Sequence, residues 1–286
     1  MRTSWLLILF ALPGLIGSLL LVRLAGAGQA LQVQQIVVAL IGIAFVLWMD
    51  KVRRNQDAEN GSSMPRLVRN SILILVSMLI GFAACYVFSK AESPSRWLKF
   101  GGLRLYFSAA VLPLALYVFA NLHWRLQFSA YANVLLVLVF AALLALQPDV
   151  SQLMAFSLAV LFVVWHRAGG LVLKLGISLV LGLLCYWCRQ QPDPLQPVSY
   201  VEGVIQLAGS AGIAPMLAAI LSVALIPICL FYAGIKRSSP ELMPIALYYI
   251  VIMICAYLGL TPMPLIGFGA GPVLGYFLLL GMCGNS

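Results

Sequence analysis

The stretch Ser95-Arg96-Trp97-Leu98-Lys99-Phe100-Gly101-Gly102, with the shorter Gln147-Pro148-Asp149, decides how this chain is read. Nearly everything around these two segments is apolar enough to dissolve in a bilayer, so they sit between spans or inside a helical bundle. An ionisable group at membrane depth points by default to a functional site, because hydrocarbon offers it neither water nor counterion. The plainer reading makes Asp149 a loop residue at the membrane surface, with Arg96 and Lys99 snorkelling to the headgroups. Position alone leaves the two readings even.

Composition fixes the class. The 286 residues are 63% hydrophobic and 9% charged, and the mean hydropathy is +1.04. A soluble domain carries about 25% charged residues, so this is a polytopic membrane protein. Its net charge of +9 reads as topological, holding cytoplasmic loops against anionic headgroups. No nucleic-acid motif accompanies the charge, and no nucleic-acid partner is expected. Cys185-Tyr186-Trp187-Cys188 has CxxC spacing but lies at a span end without a second ligand pair. No metal site is assigned to it, and no cofactor is expected, with a divalent metal left open. Met1-Arg2 and the apolar run that follows have the outline of a signal peptide. The run is too long for that and further spans follow at once, so it reads as the first transmembrane helix.

Apolar runs fall at roughly 5–22, 31–49, 70–89, 104–121, 130–146, 150–165, 171–187, 208–234, 242–260 and 264–282. Most reach the ~17–25 residues that cross ~30 Å of hydrocarbon. The fold expected is an all-α transmembrane bundle of about ten helices, a single domain over 1–286. Eight is the alternative if the fifth and sixth runs form one re-entrant unit around Pro148, which breaks helix geometry. A solvated loop is expected at about 50–69, and its Lys51, Arg53, Arg54, Arg66 and Arg69 mark it as cytoplasmic. Alternation then places Arg125, Arg167, Lys236, Arg237 and both termini on that side. Outer loops fall at about 90–103 and 188–203. Arg96, Lys99 and Arg104 crowd the first, where a basic cluster suits an anionic substrate such as a diphosphate. The second, with three prolines and no apolar run, reads as irregular and carries Asp193 and Glu202.

Four segments in order carry a resemblance. Gln34-Gln35-Ile36 through Met49-Asp50-Lys51-Val52-Arg53-Arg54 is similar to a second helix ending in "DYRRLRR". Ser95 to Gly101 resembles "RRWI-x-LG", and Leu146-Gln147-Pro148-Asp149-Val150 resembles "LQPDLG". Pro262-Met263-Pro264-Leu265-Ile266-Gly267-Phe268-Gly269-Ala270-Gly271 resembles "GLPLPFISYGG". Together they resemble the SEDS family, the shape, elongation, division and sporulation proteins such as RodA, FtsW and SpoVE, over nearly the whole chain. The resemblance implies a multi-pass protein of the bacterial cytoplasmic (inner) membrane that handles a lipid-linked disaccharide of the lipid II type. It also implies a partner, a class B penicillin-binding protein or other single-span membrane protein. Arg96, Trp97, Lys99, Gln147, Asp149 and Ser199 are the substrate-binding candidates it implies, with Trp97 stacking on a sugar or prenyl chain. Without the motif, Trp97 reads as an interfacial anchor.

The departures bear on chemistry. Where the family has "QPSE-x-AK", this chain has Tyr106-Phe107-Ser108-Ala109-Ala110-Val111-Leu112, so both charges are gone. Where the family has its essential aspartate, this chain has Ser199, and the acidic pair of "EELG" falls on Ala208-Gly209-Ser210. Glycosyl transfer needs a base for the attacking hydroxyl and a steadying group for the leaving diphosphate, and an unperturbed serine is a poor base. Glu202 and Asp149 are the remaining catalytic candidates, with Asp193 behind them. The expectation is a lipid-linked-sugar-binding relative with weak or no glycosyltransferase activity. The alternatives are an active lipid II polymerase and a transporter of an anionic or lipidic substrate, whose broken helix would be Gly267 to Pro272.

Overall fold

The computed structural model describes residues 3–59, 64–88, 95–100, 103–126, 129–167, 170–192, 196–236 and 239–283. Among these residues the chain forms ten helices of thirteen residues or more and one of seven. They are α1 (Thr3–Leu24), α2 (Gln29–Glu59), α3 (Met64–Phe88), α4 (Phe107–Trp124), α5 (Ala130–Leu146), α6 (Val150–Arg167), α7 (Leu171–Arg189), the short α8 (Val204–Ser210), α9 (Ile213–Lys236), α10 (Met243–Tyr257) and α11 (Ala270–Met282). Seven helical spans are long and apolar enough to cross a membrane, and α5, α6 and α11 are shorter apolar helices. Residues such as Leu40, Ile80, Leu179 and Leu221 point outward, as expected of a surface solvated by lipid rather than water.

Three features differ from the sequence expectation. The solvated loop placed at 50–69 is mostly helix: α2 runs to Glu59 and α3 resumes at Met64. Lys, Arg, Gln and Glu are good helix formers, and Arg54 pairs with Asp50 one turn back at 2.5 Å. The run 208–234 is two helices, broken at Gly212, whose φ of +131° suits only glycine. The outer segment 90–103, taken as a loop, leads into a β-hairpin of β1 (Trp97–Phe100) and β2 (Leu103–Tyr106), antiparallel, with Trp97 opposite Tyr106 and Lys99 opposite Arg104. The bundle is otherwise all-α.

Helix α4 is the axis of the molecule, buried along nearly its whole length. It packs most closely on α11, where Gly271 and Gly275, four residues apart, meet the backbone of β2 and α4. A Cβ on Gly271 would strike the Tyr106 carbonyl, and one on Gly275 the Ala109 carbonyl. Small residues at this spacing let membrane helices approach backbone to backbone. On the other side of α4, Phe82, Phe107, Phe119, Phe140 and Phe156 pack mostly edge to face, tying α3, α5 and α6 to it. Ala109 and Leu112, which stand where the resemblance implies charges, are buried in this apolar packing at 4% and 0% exposure.

Candidate functional site

The described residues of the α3–α4, α5–α6, α7–α9 and α10–α11 connections meet beside the start of α2, and the site is built from them. The α5–α6 turn supplies its buried centre. Asp149 is the N-cap of α6, accepting the backbone N–H of Gln152 at 3.4 Å, which is why the helix starts at Val150, the residue after it. Its carboxylate also accepts the Tyr106 hydroxyl at 2.8 and 2.7 Å and the Ser108 hydroxyl at 2.8 Å. Arg96 donates from Nε to the Gln147 carbonyl at 3.1 Å and from Nη2 to the Pro148 carbonyl, so the hairpin is clamped to the same turn. Beyond Asp149 the network runs from the Tyr248 hydroxyl to Gln152 Oε1 at 2.6 Å, and from Gln152 Nε2 to Thr261 Oγ1 at 3.5 Å. A carboxylate this deep is tolerable only when its oxygens are so occupied.

Two cavities flank this network. The first, about 270 Å³, is lined by Arg96, Trp97, Tyr106, Glu202, Thr261 and neighbours in 196–197 and 258–262. The second, about 290 Å³, is lined by Gln34, Trp97, Arg104, Tyr106, Tyr200, Phe268 and the start of α11. Their shared wall is Trp97 stacked on Tyr106, ring centroids 5.2 Å apart and planes 28° apart, with Pro262 beside them. One face of Trp97 is therefore already used inside the protein.

The turn carrying Glu202 is held in place by backbone. Met263 N–H donates to the Val201 carbonyl at 3.0 Å and Phe268 N–H to the Tyr200 carbonyl at 2.9 Å, so residues 198–203 are zipped to the segment before α11. Gly267 fits there because a Cβ would strike the Val201 and Met263 carbonyls. Glu202 accepts the Val198 N–H through Oε2 at 2.7 Å. Burial pushes its carboxyl above the ordinary range, opposed by the hydrogen bond from Val198.

The sequence candidates thus separate. Arg96, Trp97 and Glu202 line the first cavity. Asp149 is 1% exposed and Gln147 2%, and neither is in the lining of these two cavities; Asp149 orients Tyr106 from behind the wall. Ser199 is exposed on the turn, outside both linings. Lys99 is in β1 opposite Arg104, its side chain outside the described residues, as is Asp193. Tyr106 and Thr261 were absent from the candidates and are central here, while Arg104, expected only as part of the outer basic cluster, lines the second cavity. The signal for Tyr106 and Arg104 was the pair Gly101-Gly102 between two four-residue runs, a hairpin turn signature. The signal for Asp149 as a cap was Gln152 three residues on. No group of acidic, histidine or cysteine side chains among the described residues is arranged to hold a metal ion.

No family model matches the sequence, and no curated protein does. Solved structures do. The rod shape determining protein RodA of Thermus thermophilus matches with a TM-score of 0.66 at 19% identity, over 97% of this chain and 94% of that one. An aspartate-to-alanine mutant of the same protein matches with a TM-score of 0.69 at 19% identity, over 97% and 95%. A chain of a peptidoglycan synthase complex that coordinates polymerization and crosslinking matches with a TM-score of 0.63 at 18% identity, over 96% of each chain. The chain has the polytopic membrane fold of RodA, the SEDS-type fold that its four motifs resemble.

Proposed function

We propose that this chain is a divergent SEDS relative in bacterial cell-wall synthesis that binds a lipid-linked sugar in the paired cavities beside Trp97 and Tyr106, with weak or no polymerase activity. The observation that carries this reading is the double cavity itself. Aromatic walls and two cations, Arg96 and Arg104, offer stacking surface for a sugar and positive charge for a diphosphate. The low activity follows from what the cavities lack. Among the described residues Glu202 is the one acid in either lining, and Ser199, standing where the resemblance implies the essential aspartate, is in neither. Losing a positioned base costs on the order of 10²–10⁴ in rate. A class B penicillin-binding protein is the partner this reading implies, in the inner membrane.

One observation favours the competing reading of an active polymerase. Glu202 reaches the first cavity, and burial raises its carboxyl pKa, which strengthens a carboxylate as a general base. Lipid II incubated with the purified protein, with and without a penicillin-binding partner, separates the two. Tight lipid II binding that weakens in Trp97→Ala, with no polymer under either condition, is the expected result. Long product chains that vanish in Glu202→Ala would overturn it and identify the base.

A further inference from the structure

Away from both cavities, α1 and α2 enclose a slot of about 140 Å³ lined by Leu12, Leu15 and Leu19 on one side and Ile36, Ala39 and Ile43 on the other. Ile16 and Leu40 border it at 56% and 60% exposure, so it opens on the side where lipid lies. One polar residue belongs to this apolar lining, Gln35. Gln35 is 2% exposed. Its Oε1 accepts the backbone N–H of Gly269 at 3.3 Å, which fixes the amide's orientation, since the reverse would set donor against donor. Its Nε2 has no acceptor among the described residues.

A buried donor left unsatisfied costs about 1–3 kcal/mol, and the apolar lining gives a water no second partner to hold it there. With no acceptor among the described residues, a molecule that fills the slot is the source of one. Gln35 lies six residues inside the start of α2, about 9 Å along the axis, where the polar helix ends give way to hydrocarbon. From Gln35 to Ile43 the slot follows α2 for about 12 Å further in. An ester carbonyl at the hydrocarbon boundary with an alkyl chain running inward matches this arrangement; a polyprenyl chain carries no carbonyl at that point. We infer that the α1–α2 slot binds an acyl chain of a membrane glycerophospholipid, with Gln35 Nε2 donating to its ester carbonyl. Because Gln35 also holds Gly269, the N-cap residue of α11 and part of the second cavity's wall, the bound lipid braces that wall.

The assignment does not depend on what the cavities bind. Native mass spectrometry of the full chain in an ester-free detergent tests it, titrating a diester phosphatidylglycerol, its dialkyl ether analogue with the same headgroup, and a polyprenyl phosphate. The diester should be retained over the diether by roughly fivefold, the value of one ordinary hydrogen bond. Gln35→Leu should erase that preference. Ala39→Phe, which fills the slot and leaves the amide in place, should lower retention of the diester. Equal retention of diester and diether by the unmodified chain would overturn the inference, as would a preference that survives Gln35→Leu. Displacement of the diester by the polyprenyl phosphate would assign the slot to a prenyl chain instead and overturn it too. Should Gln35→Leu fail to fold for want of an acceptor for Gly269, unchanged diester retention in Ala39→Phe still decides against it.

Discussion

Asp149 and Glu241 are both buried carboxylates at the start of a helix, at opposite ends of the bundle, and their neighbours differ in kind. Asp149, 1% exposed, caps α6 and is held by the hydroxyls of Tyr106 and Ser108 and the Gln152 amide. Glu241, 0% exposed, sits in the 3₁₀ turn Pro240–Leu242 that leads into α10 and pairs with Arg125 at 2.7 Å, whose side chain is 42% exposed. Helix starts favour negative charge in both places. At the cavity end the carboxylate is met by Tyr106, which also forms the wall of both cavities, so its burial orients that side chain. At the basic end it is met by a guanidinium reaching in from the end of α4, so its burial ties α4 to α10. The same chemical group serves a site at one end and a fastening at the other.

Removing the first carboxylate is the harshest way to test this contrast. Asp149→Ala would leave the Tyr106 and Ser108 hydroxyls buried without their acceptor, at about 1–3 kcal/mol each. The variant should show the largest loss of thermal stability in detergent, read by fluorescence-detected gel filtration, and a reduced affinity for any cavity ligand because Tyr106 loses its anchor. Asp149→Asn keeps an acceptor of the same size and should lose markedly less. An Asp149→Ala protein as stable as the parent would remove the network from its central place.

At the other end the expected effect is smaller. Arg125→Ala leaves Glu241 buried beside fewer cations, but the arginine it removes was half in solvent. The cost should fall between the limits for exposed and buried pairs, on the order of 1–3 kcal/mol, with cavity-ligand affinity unchanged. Arg125→Lys should recover part of the loss. A drop in ligand affinity as large as that of Asp149→Ala would mean that the two ends are coupled and the contrast fails.

Much of the architecture could be read from the chain, because a bilayer imposes a length on every apolar run. Residues 130–146 were bounded to the residue, and ten apolar runs became ten long helices. What failed were places where hydropathy and structure separate. Helix α2 continues past Asp50 into charged residues, because helix propensity and the Asp50–Arg54 pair do not depend on burial. The break at Gly212 lies within an apolar run, where composition is silent and backbone conformation decides. In the site, ionisable residues were found by their scarcity, while Tyr106 and Thr261 were missed because a hydroxyl in an apolar sequence carries little signal. Asp149 and Gln147 were singled out as binding candidates and are buried, but sequence could not tell a residue lining a cavity from one standing behind its wall.

Glu202 gives the finest test, since it shares an end with Asp149 yet reaches the cavity. Burial raises its carboxyl pKa in the folded protein above the ordinary carboxylate range, and the Val198 N–H only partly offsets this. The folded state then binds the proton more tightly than the unfolded chain does. Stability contributed at this position is therefore fully present at pH values below the ordinary carboxylate range and falls as pH rises through the raised folded value. Glu202→Gln keeps an acceptor for Val198 but cannot titrate. Melting curves collected from acid to neutral pH should decline across that window in the parent and stay flatter in Glu202→Gln, with the variant the more stable above it. The displacement should be the smallest of the three, because the carboxyl is only half buried. Superimposable pH profiles would show that Glu202 is hydrated like a surface carboxylate, and would take away the physical ground for treating it as a poised base.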